Sequence, residues 1–519
     1  MNTNDNFSVK EVIRSFEKYH IAILVLFAML CAIPGLVRIH EVIRGWDGTD
    51  LGSISLNYYH DGFNFFYPQI DWGGAGPGYV EMQFPLVPFI TALLYLVFGI
   101  HNQLALVVTF LSGLGTVVAV YYLGKYIYGS SVGFIAGIFL AGSTYWVWLT
   151  TVYLNDPSMI LAGTAGLLFL VRWIQTDTFR YYVYSAVAVA LAVLLKLSAL
   201  YLGIPIFFLW WSKFGRKCLN KPSFWIFGIV TLAPSLAWYL HAHLLYLEYG
   251  NTYGIVSGGL NKFSTVALLT NPDFYNRVVG DVIRYGLTPF VSVFFAIGLF
   301  RRLSWDIRHV AWVWSASVMF FFLVAGNAAY SGVQYLLCII PAGALLAGES
   351  FIAVAQRPKI FRTGSPRTVA LVLVAAALVF SANVAWSMRI LPYLEPGQRN
   401  WRKAGAFVRG AIPPGSRIIV CTIHDIQDEV SSWKQLDTPP EVFYYSGHKG
   451  WYRSLRWLTP GYIDTCREEG ASYLVFPTSA DTAVRNSPNF GFVQNHYRVL
   501  CSEPNCIIFD LQAGVKEGQ

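Results

Sequence analysis

The sequence predicts a polytopic α-helical membrane protein that carries a small soluble α/β domain at its C-terminal end. Three observations lead to this fold class. The 519 residues are 55% hydrophobic and only 13% charged, whereas soluble proteins average about 25% charged residues. Apolar segments close to the roughly 20 residues that a spanning helix needs recur over the first three quarters of the chain. From Glu395 onward, prolines and glycines separate short strand-like runs.

The first apolar segment, 21–37, follows a basic stretch that contains Lys10, Arg14 and Lys18. It is longer than the apolar core of a cleaved signal peptide and lacks a small-residue cleavage site, so we interpret it as a retained span. Apolar segments near the length of a spanning helix predict about eleven spans in all, over 21–39, 103–123, 131–150, 157–173, 181–195, 197–212, 223–245, 286–300, 309–326, 333–353 and 368–388. An odd number of spans places the two chain ends on opposite sides of the membrane.

A further apolar stretch, 84–99, is predicted to lie in the membrane interface and not to cross. Its prolines at 85 and 88 and its short length suit an interfacial helix. With this helix outside, seventeen basic residues fall in inner loops and six in outer loops, as the positive-inside rule requires. The sequence therefore predicts a multi-pass protein of the inner (cytoplasmic) membrane with a cytoplasmic N-terminus and an exported C-terminal domain. The net charge of +8 is then a topology signal, and no nucleic-acid partner is expected.

The chain is predicted to comprise a transmembrane domain over 1–394, with a first outer loop at 40–102, and an exported soluble domain over 395–519. In the second domain, 417–422 and 472–477 read as strands. It also holds four of the seven cysteines, Cys421, Cys466, Cys501 and Cys506. An exported compartment would allow these four to form disulfides, and four unpaired thiols are the alternative.

The first outer loop concentrates carboxylates at the water side of a hydrophobic body. Its acidic residues are Asp47, Asp50, Asp61, Asp71 and Glu81, and Asp156 lies at the outer end of a later span. Each acid alone is more often a solvated loop residue. Asp47 and Asp50, however, are three residues apart and would share one face of a helix. Carboxylates in such a place serve as proton acceptors or cation ligands.

Lys196 is a cation between two apolar runs. A lysine within a span costs about 3 kcal/mol on insertion scales, so we expect it to have a partner. A phosphate group at the bilayer surface would suit it, and snorkelling toward lipid headgroups is the alternative.

At these residues the chain resembles the GT-C glycosyltransferases of the protein O-mannosyltransferase and lipid A aminoarabinose transferase type, that is, glycosyltransferase family 39. The first-loop stretch WDGTDLGSISLNYY is similar to the family's motif at Trp46, Asp50, Ile54 and Asn57. The segments GYVEMQFPLVPF, LNDPSM and LLKLSALYLGIP resemble its continuation, with Glu81, Asp156 and Lys196 at the matching positions.

The likeness leaves two points open. The family often has a histidine two residues before the pair that falls here at Gln334 and Tyr335, where this chain has Gly332. The aminoarabinose transferase pattern aligns its aspartate on Asp47, whereas the mannosyltransferase pattern selects Asp50, which we favour.

The resemblance implies an inverting transfer of a sugar from a polyprenyl-phosphate carrier to a hydroxyl of a protein, lipid or glycan. It implies catalytic carboxylates at Asp50, Asp47 and Asp156, and a donor-phosphate site at Lys196, Arg277, Arg284 and Tyr335. Glu81, Asp156 and His243 could also hold a divalent metal ion, because carboxylate oxygens together with one imidazole suit several metals. Some relatives work without metal, and no other cofactor is expected.

Two other classes of protein have similar composition. A polyprenyl-linked polysaccharide ligase or polymerase would share the donor. A secondary transporter would place its charges near span centres within internal repeats, and no repeat is found in the sequence. The longest predicted inner loop has only about 14 residues, too few for a nucleotide-sugar domain, so we expect a lipid-linked donor.

Overall fold

A computed structural model of the protein describes residues 9–36, 43, 45–257, 262–300, 304–356, 398–422, 425–427, 434–436, 440–477, 482–504 and 506–513. The chain folds as two compact units, each made of separate stretches of sequence. The first unit comprises Met1–His40, Leu106–Trp238 and Lys262–Leu391. The second comprises Glu41–Ala105, Tyr239–Asn261 and Pro392–Gln519. The predicted domain boundary at 394/395 and the predicted eleventh span, 368–388, lie outside the described residues.

Apolar helices dominate the chain because lipid requires each backbone polar group to be satisfied within its own helix. Seven helices among the described residues are long and apolar enough to cross a membrane: Glu17–Leu36, Asn102–Tyr128, Asp156–Thr176, Leu197–Asn220, Pro222–Tyr249, Ile307–Val324 and Val333–Ala355. Two bent pairs raise the number to nine if each pair is one span: Ser130–Ala141 with Thr144–Thr150, at 66°, and Pro272–Gly286 with Thr288–Leu299, at 109°.

These helices confirm the predicted fold class of a multi-pass α-helical membrane protein. Within the described part of the chain, each predicted span coincides with an apolar helix or a bent pair. The span predicted at 181–195 is the 17-residue helix Phe179–Leu195. The stretch predicted to lie in the interface forms the helix Leu86–Phe98, whose 13 residues fall short of the roughly 20 that crossing requires.

Glycines bring helices of the first unit into close contact. A Cβ atom on Gly124 would lie 2.7 Å from Cα of Gly133, so the helices Asn102–Tyr128 and Ser130–Ala141 approach backbone to backbone. Membrane helices pack through small residues in this way because lipid supplies no hydrophobic drive for association. Shorter helices of the unit are Val9–Ser15, Val266–Thr270 and Gly326–Ser331.

The second unit contains the helix Gly45–His60 and a five-stranded sheet. The strands are β1 (Arg417–Thr422), β4 (Gly450–Ser454), β5 (Ala471–Phe476), β6 (Arg498–Glu503) and β7 (Cys506–Asp510), in the order β4-β1-β5-β7-β6. Strands β4, β1 and β5 are parallel, and β7 and β6 are antiparallel additions. A separate hairpin pairs β2 (Asp425–Gln427) with β3 (Lys434–Leu436). The helices of this part are Gln398–Ala411, Pro440–Ser446, Pro460–Glu468, Thr482–Arg485 and Pro488–His496.

Alternation along β1 builds two cores, one on each face of the sheet. Ile418 and Val420 join one hydrophobic cluster, whereas Ile419 and Cys421 join the other, because successive strand side chains point to opposite faces. The strands predicted at 417–422 and 472–477 are therefore confirmed as β1 and, shifted by one residue, β5. All seven cysteines are free thiols, which corresponds to the second of the two alternatives considered for Cys421, Cys466, Cys501 and Cys506.

Candidate active site

One face of the helix Gly45–His60 carries two of the three predicted catalytic carboxylates, Asp47 and Asp50. Asp47, Asp50, Ser53 and Asn57 follow at spacings of three, three and four residues, which is the repeat of one helical face. Asp50 is only 2% exposed, and Ser53 and Asn57 are buried beside it. Asp47 is half-buried. The structure therefore buries Asp50 more deeply than its neighbour one turn earlier.

The Asp50 carboxylate is held at one oxygen. The indole Nε1–H of Trp72 donates to Oδ1 over 2.9 Å. The other oxygen, Oδ2, is buried and has no hydrogen-bond partner among the described residues. An ionised carboxylate offers about four acceptor positions, so this oxygen retains the capacity to accept a proton or a hydroxyl donor.

The environment of Asp50 favours its protonated form more than water does. Burial raises the pKa of Asp50 well above its usual value, the Trp72 hydrogen bond lowers the pKa, and the charges of Asp47, Glu441 and Asp71 raise it. General bases work best when their pKa lies near the operating pH, and burial is the common way to move a carboxylate in that direction. A buried carboxylate with a raised pKa is a candidate for a general base.

A second carboxylate, Asp71, lies against the same helix face. Asn57 Nδ2 donates to Asp71 Oδ1 over 3.0 Å, and Ser53 also hydrogen-bonds this group. Burial raises the pKa of Asp71, while the hydrogen bonds from Ser53 and Asn57 and the charge of Lys449 lower it. These contacts tie the helix to the loop that carries Trp72.

Glu81 is fully buried and binds a second loop of the same unit. Its Oε1 accepts the backbone N–H groups of Val256 and Ser257, each over 3.1 Å, and Oε2 accepts the Thr252 hydroxyl. This loop also carries Tyr253. Burial, and then the charge of Asp50, raise the pKa of the Tyr253 phenol, so Tyr253 and Asp50 are neighbours.

The residues predicted to hold a metal ion are engaged in other contacts. His243 Nδ1 meets the Ser257 hydroxyl over 2.7 Å, and that hydroxyl lies 3.2 Å from Glu81 Oε1. Across the residues that the structure describes, no group of three or more His, Cys, Asp or Glu side chains is arranged to hold a metal. A divalent ion held by Glu81, Asp156 and His243 stays a prediction, and we assign no reaction step to a metal.

In the first unit, Asp156 and Lys196 form a buried ion pair. Lys196 Nζ lies 2.7 Å from Oδ1 and 3.0 Å from Oδ2 of Asp156, and the two residues are 6% and 3% exposed. The same ammonium lies over the ring of Tyr335, 4.3 Å from its centroid. The structure thus brings together three of the predicted site residues. From the sequence we expected a phosphate beside Lys196, and the carboxylate of Asp156, 40 positions earlier in the chain, was not predicted as its partner.

The two predicted arginines lie beside the sharper helix bend of the first unit. The Arg277 guanidinium stacks over Tyr330, 4.7 Å from the ring centroid. Arg284 lies in the π-turn Val282–Gly286, directly before the 109° bend. Asp281 interacts electrostatically with both arginines, so this cluster carries a net positive charge.

Three residues around Asp50 were not predicted from the sequence. Trp72 lies between the two motif segments of the first outer loop, Tyr253 lies in another loop, and neither these two residues nor Glu441 belongs to a pattern that predicts a site. Glu441 lies on the helix Pro440–Ser446, is 2% exposed and acts on Asp50 through its charge. Contacts between segments so distant along the chain leave no trace in periodicity or spacing.

Comparisons with known proteins agree with this architecture. Residues 82–240 match the family model described as dolichyl-phosphate-mannose-protein mannosyltransferase. No curated protein sequence matches the chain significantly. The crystal structure of ArnT from Cupriavidus metallidurans in the apo state is similar with a TM-score of 0.65 at 14% identity, covering 94% of this chain and 98% of ArnT.

A second similar structure is the apo oligosaccharyltransferase of Archaeoglobus fulgidus, with a TM-score of 0.57 at 13% identity, covering 93% of this chain and 73% of that one. The arabinofuranosyltransferase AftD from Mycobacteria has a TM-score of 0.55 at 17% identity, covering 97% of this chain and 42% of AftD. ArnT, the oligosaccharyltransferase and AftD are all GT-C glycosyltransferases. The chain therefore has the fold of the GT-C glycosyltransferase superfamily.

Proposed function

We propose that the protein is a membrane glycosyltransferase that moves a sugar from a polyprenyl-phosphate-linked donor to an acceptor hydroxyl on the exported face, with inversion at the anomeric carbon. The observation that carries this proposal is the buried Asp50 carboxylate, which accepts a hydrogen bond from Trp72 at Oδ1 and has no hydrogen-bond partner at Oδ2 among the described residues. Such a carboxylate on the GT-C fold suits a general base for a hydroxyl nucleophile.

The proposed donor class draws support from relatives. ArnT has been crystallised with undecaprenyl phosphate, and the Archaeoglobus fulgidus oligosaccharyltransferase with an inhibitory peptide and a dolichol-phosphate. The described residues of this chain supply suitable cations in Lys196, Arg277 and Arg284. We propose that these bind the donor phosphate, with Tyr335 beside Lys196.

In the proposed reaction, Asp50 accepts the proton of the acceptor hydroxyl while the hydroxyl oxygen forms a bond to the anomeric carbon. The bond from that carbon to the phosphate oxygen breaks, and its electron pair leaves with the polyprenyl phosphate. Negative charge then develops on the phosphate, where preplaced cations stabilise it. Asp156 would hold the Lys196 ammonium in position for this role. The acceptor is a hydroxyl of a protein, lipid or glycan.

Bent helix pairs such as these also occur in secondary transporters, where broken spans surround substrate sites. The fold similarity to three glycosyltransferases over more than nine tenths of this chain favours the enzyme. A transporter would bind its substrate without releasing polyprenyl phosphate, so the experiment below separates the two classes.

The test uses the full-length protein in lipid nanodiscs with a panel of undecaprenyl-phosphate-linked sugars. Release of undecaprenyl phosphate is measured in the presence of cell-envelope acceptor fractions, and binding of undecaprenyl phosphate is measured separately. We expect the wild-type protein to turn over at least one donor. Asp50→Asn should still bind undecaprenyl phosphate but lose roughly 10²-fold or more in turnover, because the base is gone.

Asp47→Asn is the matched control, since it removes a carboxylate one helical turn away on the same face. We expect a much smaller loss from it. If Asp47→Asn is the inactive variant while Asp50→Asn turns over normally, the base is Asp47. If the wild-type protein neither binds undecaprenyl phosphate nor releases it from any donor, the proposed function is wrong.

A further inference from the structure

The segment that carries Trp72 pairs with the edge of the C-terminal sheet. The Gly450 N–H donates to the Asp71 carbonyl over 2.9 Å, and the Gly74 N–H donates to the Gly450 carbonyl over 2.7 Å. Gly73 and Trp451 form an antiparallel bridge. Since β4 is an edge strand of the five-stranded sheet, the first outer loop extends that sheet by one short antiparallel pairing.

Two glycines allow this close approach. Gly74 has φ of +76°, and a Cβ there would lie 3.0 Å from Trp451 Nε1. A Cβ on Gly73 would lie 2.6 Å from Cα of Gly78. A side chain at either position would push the segment away from β4 or from its own loop, so these glycines fix the path of the backbone next to Trp72.

The Trp72 ring packs against a core of the C-terminal sheet. It borders the hydrophobic cluster that includes Ile418, Val442 and Phe443. One edge of the indole thus rests on this cluster, while Nε1–H reaches Asp50. Residues of the C-terminal segment thus contact both the Trp72 ring and the backbone beside it, and the ring of Tyr253 lies 6.5 Å from that of Trp72.

We propose that Trp72 is a positioning residue, by which the C-terminal sheet orients the Asp50 carboxylate for its role as the base. The proposal rests on the proposed function, in which Asp50 is the base. It gives the C-terminal segment a part in the chemistry, in addition to any role in acceptor binding.

Electrostatics support the same arrangement. The groups that act on Asp50 are the carboxylates of Asp47 and Glu441, then that of Asp71, and the neighbouring phenol of Tyr253. Burial and these like charges favour a protonated Asp50, whereas the Trp72 N–H favours the carboxylate. A base must be ionised to accept a proton, so loss of the indole N–H would reduce the active fraction at low pH.

The test is Trp72→Phe in the nanodisc assay for release of undecaprenyl phosphate. Phenylalanine keeps an aromatic ring in the cluster and removes the donor. We expect kcat to fall roughly tenfold or more, because a hydrogen bond to a charged group is lost, with KM for the donor unchanged. We also expect the acid limb of the kcat/KM profile to move to higher pH.

Trp401→Phe is the matched control. Trp401 packs against the same hydrophobic cluster, so this variant removes an indole from that core while leaving the Trp72 to Asp50 bond in place. We expect its acid limb to coincide with that of the wild-type protein. A shift as large as that of Trp72→Phe would show that cluster packing alone moves the profile, and would overturn the proposal.

A second variant, Trp72→His, keeps a ring N–H in the same place. We expect it to recover part of the rate and to move the acid limb back toward the wild-type position. An unmoved acid limb in Trp72→Phe, or no recovery in Trp72→His, would assign Trp72 to packing alone. Both results are read against a wild-type protein that turns over its donor, so they are distinct from failure of the proposed function.

Discussion

At the residue scale, the chemistry of the site depends on how buried charges are partnered. Asp50 lies among carboxylates and is held by a neutral donor, whereas Lys196 is neutralised by a carboxylate at short range. The first arrangement raises the pKa of a base, and the second keeps a cation charged in an apolar setting. Proton acceptance and phosphate binding require these opposite conditions.

Glu441 provides a test of the first arrangement. Its charge is one cause of the raised pKa of Asp50, so Glu441→Gln should lower that pKa. The ionised base would then persist to lower pH, and the acid limb of the kcat/KM profile should move to lower pH, opposite to the shift expected for Trp72→Phe. An unchanged limb, or one displaced upward, would show that Glu441 does not act on the base. Asp464→Asn, on an exposed helix of the same part of the chain, is the control.

The ion pair of Asp156 and Lys196 allows stability and binding to be separated. Lys196→Ala leaves a buried carboxylate uncompensated and should cost roughly 3–5 kcal/mol of stability, along with undecaprenyl phosphate binding. Lys196→Arg keeps the charge and should retain more binding. In the double variant Asp156→Asn with Lys196→Gln, thermal stability should recover while binding stays lost. Wild-type binding by the double variant would remove the pair from the donor site.

At the element scale, loops of the second unit are fixed by carboxylates that bind backbone. Glu81 holds the 252–257 loop through two N–H groups and two hydroxyls. The loop 71–74 is fixed instead by strand pairing with β4. Both loops deliver a side chain to Asp50, so the base lies between two separately anchored segments.

Replacement of Glu81 should release the first of these loops. Glu81→Gln retains the shape of the side chain but weakens the charge-assisted bonds to Val256 and Ser257, which are worth about 1.5–3 kcal/mol each in proteins. We expect faster amide hydrogen exchange over residues 252–257 and a lower unfolding temperature. Asp61→Asn, which removes an exposed ion pair with Lys449, should change neither by a comparable amount. Equal exchange in wild-type protein and Glu81→Gln would contradict the anchoring role.

Some elements could be predicted from the sequence because their causes are local. The length of the apolar segments predicted the spans, and the alternation of apolar residues predicted β1. The three-residue spacing of Asp47 and Asp50 predicted that they share one helix face. Positions such as Trp72 and Glu441 could not be predicted, since they meet Asp50 only through sheet pairing and helix packing across hundreds of residues. The pairing of Lys196 with Asp156 was missed for the same reason, although both residues had been singled out.

At the scale of the whole molecule, the main prediction concerns which side of the membrane each loop faces. The excess of basic residues in alternate loops predicts that positions after Arg216 and after Glu395 lie on opposite sides of the membrane. Reporter fusions at the two positions, with enzymes active on one side only, should give opposite signals. Matching signals at both positions would contradict the topology with eleven spans.

The pairing of the first outer loop with the C-terminal sheet has a consequence for biosynthesis. Asp61 and Lys449, which meet at the surface beside this pairing, are separated by 388 positions. At translation rates of about 5–20 residues per second, the loop waits for tens of seconds before its strand partner is made. We therefore expect a ribosome-bound chain that is already inserted in lipid to lack an ordered Trp72 until β4 has been made.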